Sequence, residues 1–201
     1  MVLMEAPVIM VGTDSAEVER RLSVGELVCP CGGALTRWGY ARARTVRGAG
    51  QMRPRRVRCA GCRVTHVLLS IACLLRRADS AEVIGAALRQ KAAGAGHRPI
   101  AARLDRPAST VRGWLRAFSR NAEPARSILV GLLVEIDPLH GPVHPAGSVF
   151  ADAVEMVGAV VAAARRRLGM VGAVSPWQLA SAVTDGRLRF PRSRGGISYK
   201  E

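Results

Sequence analysis

Between Asp79 and Phe118 the apolar residues recur at helical spacing in three short bursts, separated by glycine and proline. Few folds accept that pattern other than three small helices around a shared centre. Val83, Ile84, Ala87 and Leu88 form one stripe, and Asp79-x-x-Glu82 ahead of them is a capping-box signal for the helix start. Gly94 and Gly96 stop this helix, because glycine tolerates a left-handed helix end. Pro99 suits the first turn of a second, short helix, with Ile100, Ala101 and Leu104 inward. Asp105-Arg106-Pro107 makes a turn, and Ser109 or Thr110 is expected to cap a third helix. Val111, Trp114, Leu115 and Phe118 share one face of that helix.

The opposite face of the third helix holds Thr110, Arg112, Gly113, Arg116 and Arg120. Three helices with a tight turn before a basic last helix are the pattern of a helix-turn-helix. In that motif the residues at the start of the last helix reach base edges in the major groove. Arginine can pair bidentately with guanine, serine and threonine can bond bases or phosphates, and glycine permits close approach. Ser109, Thr110, Arg112, Gly113, Arg116 and Arg120 are therefore the candidate DNA contacts, with His97 and Arg98 at the preceding helix start as phosphate or capping contacts. The rival reading is a protein-interaction or assembly module whose arginine face is merely solvated. The turn position held by Asp105 is often glycine, and aspartate is among the residues that accept a left-handed backbone.

Charge separates these readings. Net charge is +15, and arginine supplies 28 of the 30 basic residues. Residues 1–28 carry two bases and five acids; residues 29–126 carry twenty bases and four acids. Residues 127–201 carry eight bases and six acids. An excess confined to one block is the footprint expected for a polyanion partner. No basic amphipathic helix with an aromatic face appears, which argues against a membrane surface. Aromatics make up only 4%, which argues against a single-strand stacking platform. No secretory leader and no apolar run near 18 residues is present, so the expected location is cytoplasmic, associated with the nucleoid.

Five cysteines in such a chain favour metal or free thiols over disulfides. Cys29-Pro30-Cys31-Gly32-Gly33 and Cys59-Ala60-Gly61-Cys62 read as the two knuckles of a zinc ribbon, since tetrahedral zinc takes four soft ligands from two tight turns. The first pair is C-x-C rather than the usual C-x-x-C. Three outcomes stay open: all four cysteines bind Zn2+, His66 replaces one of them, or the site has decayed. Cys73 falls outside the spacing and reads as a small buried hydrophobe. Leu35–Tyr40, Arg55–Arg58 and Thr65–Leu69 read as short strands of a sheet too thin to fold without a metal staple. Arg42, Arg44, Arg47, Arg53, Arg55, Arg56, Arg58 and Arg63 crowd this part, and Arg55 and Arg56 are candidate phosphate contacts.

Cys29-Pro30-Cys31-Gly32-Gly33, Trp38-Gly39, Cys59-Ala60-Gly61-Cys62-x-x-Thr65-His66-Val67-Leu68-Leu69 and the Ile100-Ala101-x-x-Leu104…Ser109–Arg116 core together resemble a bacterial helix-turn-helix family described only as a domain of unknown function. Its members are similar to the N-terminal DNA-binding part of transposases. The resemblance covers roughly residues 20–120, and more weakly Pro176-Trp177-Gln178-Leu179. It implies DNA binding near mobile elements. The short first knuckle and Asp105 are the departures.

The expected organisation is mainly α with a small β part. Residues 1–28 form a lead-in strand (Val8–Val11) and a helix capped by Asp14; 29–75 form the ribbon-like domain; 79–120 the helix-turn-helix. Residues 124–186 form a helical C-terminal region, with Ser175 capping its last helix and Gly186 stopping it, and 187–201 form a basic tail. The C-terminal helices are the candidate surface for a homodimer, because such proteins often read paired half-sites. The acids after residue 126 (Glu135, Asp137, Asp152, Glu155, Asp185 and Glu201) lie in a short helical segment without the strand pattern that would converge three carboxylates on metal ions. A non-enzymatic role is expected.

Overall fold

The computed structural model describes residues 7–169, 174–184 and 186. The basic tail from residue 187 lies outside them.

The two larger of three clusters of buried apolar residues define a helical half and a β half, and the third gathers Val46, Leu69 and Cys73. Strands β1 (Val8–Val11), β2 (Leu35–Tyr40), β5 (Arg55–Cys59) and β6 (Thr65–Ser70) form one mixed sheet in the order β1-β6-β5-β2. β1 runs parallel to β6, and the other neighbours are antiparallel. β3 (Arg44–Val46) and β4 (Gly50–Met52) form a separate hairpin. Helix α1 (Ser15–Ser23) begins at Asp14, whose carboxylate accepts from the Ala16 and Glu17 amides. Val18 and Leu22 of α1 pack with Val11, Leu27, Leu35, Val57 and Leu68. The lead-in is therefore part of the sheet half. β6 buries residues on both faces: Leu68 packs with Val18 and Leu22 of α1, Leu69 with Val46 of β3 and Cys73, and β1 pairs along its edge.

The helical half holds α2 (Ala81–Ala92), α3 (His97–Leu104), α4 (Ala108–Ser119), α5 (Ala122–Ile136), α6 (Val149–Leu168) and α7 (Pro176–Val183). α2, α3 and α4 meet through Ile84, Leu88, Ile100, Val111, Trp114 and Phe118, the stripes visible in the sequence. The same core runs on through Leu129 and Leu133 of α5, Val157 and Val160 of α6, and Trp177 of α7. Burying a large apolar side chain is worth roughly 1.5–3 kcal/mol each, so this continuous core fixes the three-helix unit in place. Trp177 lies flat against Gly85, where a Cβ would stand 2.1 Å from its ring. Ser175 and Gln178 complete a capping box at α7, and Ser181 Oγ donates to the Cys73 carbonyl at 2.8 Å.

Two expected helix starts are corrected. α2 is capped by Ser80, whose hydroxyl accepts from the Val83 amide, and not by Asp79. Asp79 is drawn instead into ion pairs with Arg47 and Arg106. α4 starts after Pro107 with no side-chain cap, because proline fixes the entry backbone two residues before Ser109; Ser109 and Thr110 lie inside the first turn. Asp105 does adopt the left-handed conformation, at φ 51°. Arg106 closes that turn by donating to the Leu104 and Asp105 carbonyls.

Candidate metal centre and basic helix face

The first knuckle hangs between α1 and β2, and the second joins β5 to β6. Both are held by the sheet: Ala60 N–H donates to the Ala34 carbonyl, and Cys59 N–H to Val64. This brings the four sulfurs of Cys29, Cys31, Cys59 and Cys62 within 4.8 Å of one another. Cys29 Sγ is 3.6 Å from Cys62 Sγ, and Cys31 Sγ is 3.5 Å from Cys59 Sγ. An ion about 2.3 Å from each of four tetrahedral sulfurs sets them roughly 3.8 Å apart. The donor set therefore fits a metal ion, with Cys29 and Cys59 buried and Cys31 and Cys62 exposed. The shortened C-x-C knuckle does not prevent this convergence. Gly33 is what permits it, since a Cβ there would fall 2.6 Å from Cys59 Sγ.

The sulfurs are electrostatically unlike. The Gly33 N–H, followed by the neighbouring sulfurs, pulls Cys31 down to about 6. At Cys29 the Cys31 N–H favours the thiolate, yet burial and the adjoining thiols outweigh it and push the group up to about 12. Cys62 is raised as well, its Val64 N–H outweighed by the Cys31 thiol and by burial. Thiols this close cannot all ionise alone; a divalent cation among them would make four thiolates tenable. His66 stands beside the cluster, its Nε2 3.2 Å from Cys29 Sγ. Burial holds its pKa below the usual histidine value. Cys73 lies apart, buried, next to Met52 Sδ at 2.9 Å.

The basic candidates separate into two groups. On α4, Ser109, Arg112, Gly113 and Arg116, with Arg120 at its C-cap, are exposed and Thr110 is half-buried, over the buried Val111, Trp114, Leu115 and Phe118. Arg112, Arg116 and Arg120 hold no ion pair among the described residues. Arg98 is exposed on α3 and His97, its first residue, is half-buried. In the β half the arginines are largely engaged. Arg55 donates to Glu19 at 2.6 Å and lies 3.8 Å over the Tyr40 ring. Arg37 also donates to Glu19, Arg58 stacks on Trp38, and Arg56 is half-buried with Nε unpartnered. Arg55 and Arg56 are thus built into the sheet surface and do not stand free toward solvent.

Sequence reasoning missed Asp79. Its carboxylate accepts from Arg47 Nε and Nη2 at 3.1 and 2.9 Å and from Arg106 Nε at 2.5 Å. Arg47 N–H donates to Ala78 and Ser80 N–H to Arg47, so backbone bonds reinforce the join. One buried acid thus ties the β3–β4 hairpin to the turn that aims α4. A lone acid in a run of arginines was the available signal.

No protein-family model matches the chain, and neither a curated protein nor a solved structure matches it. No described helix is long and apolar enough to cross a membrane.

Proposed function

We propose that this chain is a sequence-directed, double-stranded DNA-binding protein without catalytic activity, acting in transcription regulation or beside a mobile element. The observation that carries the reading is the α4 face. Arg112, Arg116 and Arg120 project from a helix whose other side is locked into the core, next to Gly113 and after a tight turn. α2 to α4 then act as a helix-turn-helix with α4 in the major groove, Arg112 and Arg116 on base edges, and Arg98 and Arg120 on phosphates. In the β half, Arg42, Arg53 and Arg63 are better placed for phosphate than the engaged Arg55.

The metal in this reading is Zn2+, the common choice of a four-thiolate tetrahedral site. It staples a sheet half whose apolar core is small and so holds Arg47, Asp79 and the α4 turn in register. The partner at the far end is a second copy of this chain. Ile128, Val134, Leu139, Val143 and Val149 are exposed within residues 127–164, a stretch with no lysine or arginine. In a chain of net charge +15, that is the surface on which two copies meet with least repulsion.

The test is selection from a random duplex library by the purified protein at about 150 mM salt with competitor, where charge alone binds weakly. An enriched motif is expected. Arg112→Ala should cost ~1–3 kcal/mol on it and relax preference at one or two base pairs. An Arg112→Ala protein with the original motif would show that α4 does not read bases. No enrichment from the unaltered protein would sink sequence-directed binding itself.

A further inference from the structure

Four cysteines satisfy a tetrahedral ion, yet a fifth donor points at them. His66 is 3% exposed in the middle of the sheet, on β6 and opposite Val57 of β5. Its Nε2 lies 3.2 Å from Cys29 Sγ, and its Nδ1 is buried, its contact with the Pro7 carbonyl falling short of a well-formed hydrogen bond. A polar ring is not kept in such a place for packing alone, since a poorly partnered buried nitrogen costs free energy that an apolar side chain would avoid.

The short first knuckle supplies a reason. Turn amides shield knuckle sulfurs: the Cys31 N–H serves Cys29, the Gly33 N–H serves Cys31, and the Val64 N–H serves Cys62. A C-x-C turn contains one amide fewer than a C-x-x-C turn, because the second cysteine arrives one residue sooner. Cys29 is also buried, so water cannot make up the shortfall as it can at the exposed Cys31. Four thiolates around a divalent ion carry two net negative charges, and each donor to sulfur spreads them.

We infer that His66 is a positioning residue of the metal centre, its Nε2–H donating to Cys29 Sγ in place of the amide that the shortened knuckle lacks. This rests on the four-cysteine site binding metal. β6 lies inside the sheet, paired with both β1 and β5, so the strand that carries the ring is held from both sides. His66 is then not a ligand; it fixes the orientation and hydration of one.

The test uses the full chain loaded with Co2+, with His66→Phe removing the donor at similar size and His66→Gln restoring an N–H near the Nε2 position. All three proteins should show the absorption of a four-thiolate tetrahedral cobalt site. Chelator should strip the phenylalanine variant ~10-fold or more faster than the unaltered protein, and glutamine should recover most of the difference. In the unaltered, zinc-loaded protein, the ring 15N shifts should place the proton on Nε2, a readout that needs no variant to fold. Equal release rates for all three proteins, or a proton on Nδ1, overturns the inference. A three-thiolate spectrum that changes with His66→Phe would make His66 a ligand and also overturn it. If the unaltered protein binds no cobalt, the metal centre itself is wrong.

Discussion

Asp79→Ala should destabilise the protein far more than the loss of one small acid suggests, and the two arginines it holds should not share the effect equally. Asp79 is 4% exposed in its side chain, Arg106 14% and Arg47 49%. The Arg106 bond is short and mostly dry, and a charge-assisted bond of that kind contributes ~1.5–3 kcal/mol. The Arg47 pair has good geometry but is half in water, which discounts it to ~0–1 kcal/mol. Removing the acid also strands Arg106, while Arg47 rehydrates. The expected loss is therefore about 2–4 kcal/mol, toward the lower end of what opening a buried pair costs. For a chain of this size that lowers Tm by roughly 5–15 °C. Asp79→Asn keeps an acceptor and should lose about half as much. Urea unfolding followed by circular dichroism, run as two double-mutant cycles, separates the partners. Coupling of Asp79 to Arg106 should exceed coupling to Arg47 by ~1 kcal/mol or more. A loss under ~0.5 kcal/mol, or the larger coupling at Arg47, would refute the assignment of a buried clamp.

Gly85→Ala should destabilise although alanine is the better helix former by up to ~1 kcal/mol, because its Cβ would stand 2.1 Å from Trp177. Trp177 must swing out, so the expected loss is ~1–3 kcal/mol with a red-shifted tryptophan emission; unchanged emission would contradict the packing. Asp137 is held below the usual carboxylate range by Arg167 and then Arg166. A depressed pKa stabilises the folded state above the ordinary value of 3.8, and that stability is lost as pH falls through the lower folded value. Asp137→Asn should thus unfold more easily than the parent at neutral pH and match it in strong acid, as read by denaturant midpoints across pH.

Local signals were legible and long-range ones were not. Helices α2 to α4 follow from their apolar stripes, and α1 and α7 from Asp14 and Ser175, because capping chemistry lies within three residues of the helix start. β2, β5 and β6 follow from the short runs around the cysteines. By contrast, parallel pairing of β1 with β6 joins residues about sixty apart, and nothing in Val8–Val11 names its partner. The β3–β4 hairpin was hidden because Val46 and Met52 are the apolar residues of its strands that turn inward, beside a half-buried Arg44. Asp79-x-x-Glu82 was misread because Ser80 offers a second cap one residue on. The chain uses the serine there, leaving the acid for charge pairing. The cysteine spacing did name the four sulfurs that converge on a candidate metal site, but it could not show how His66 stands to them.

Arginine was the hardest residue to read, and the reason is physical. Composition counts charge, whereas partner binding depends on charge that no internal acid has claimed. Glu19 takes Arg37 and Arg55, Asp79 takes Arg47 and Arg106, and Asp137 takes Arg166 and Arg167. Each of these acids draws arginines from distant positions, so no sequence window reveals the pairing. Exposed arginines outside these ion pairs include Arg98, Arg112, Arg116 and Arg120 along α3 and α4, and Arg42, Arg53 and Arg63 in the β half. The acids of this chain therefore do more than balance charge. They claim the arginines that hold the fold, and under the proposed function the α4 face, backed by the exposed β-half arginines, is where a polyanion gains most by binding. Placing a glutamate on that face should weaken DNA binding more than removing an arginine from the sheet, with a shallower salt dependence as the signature.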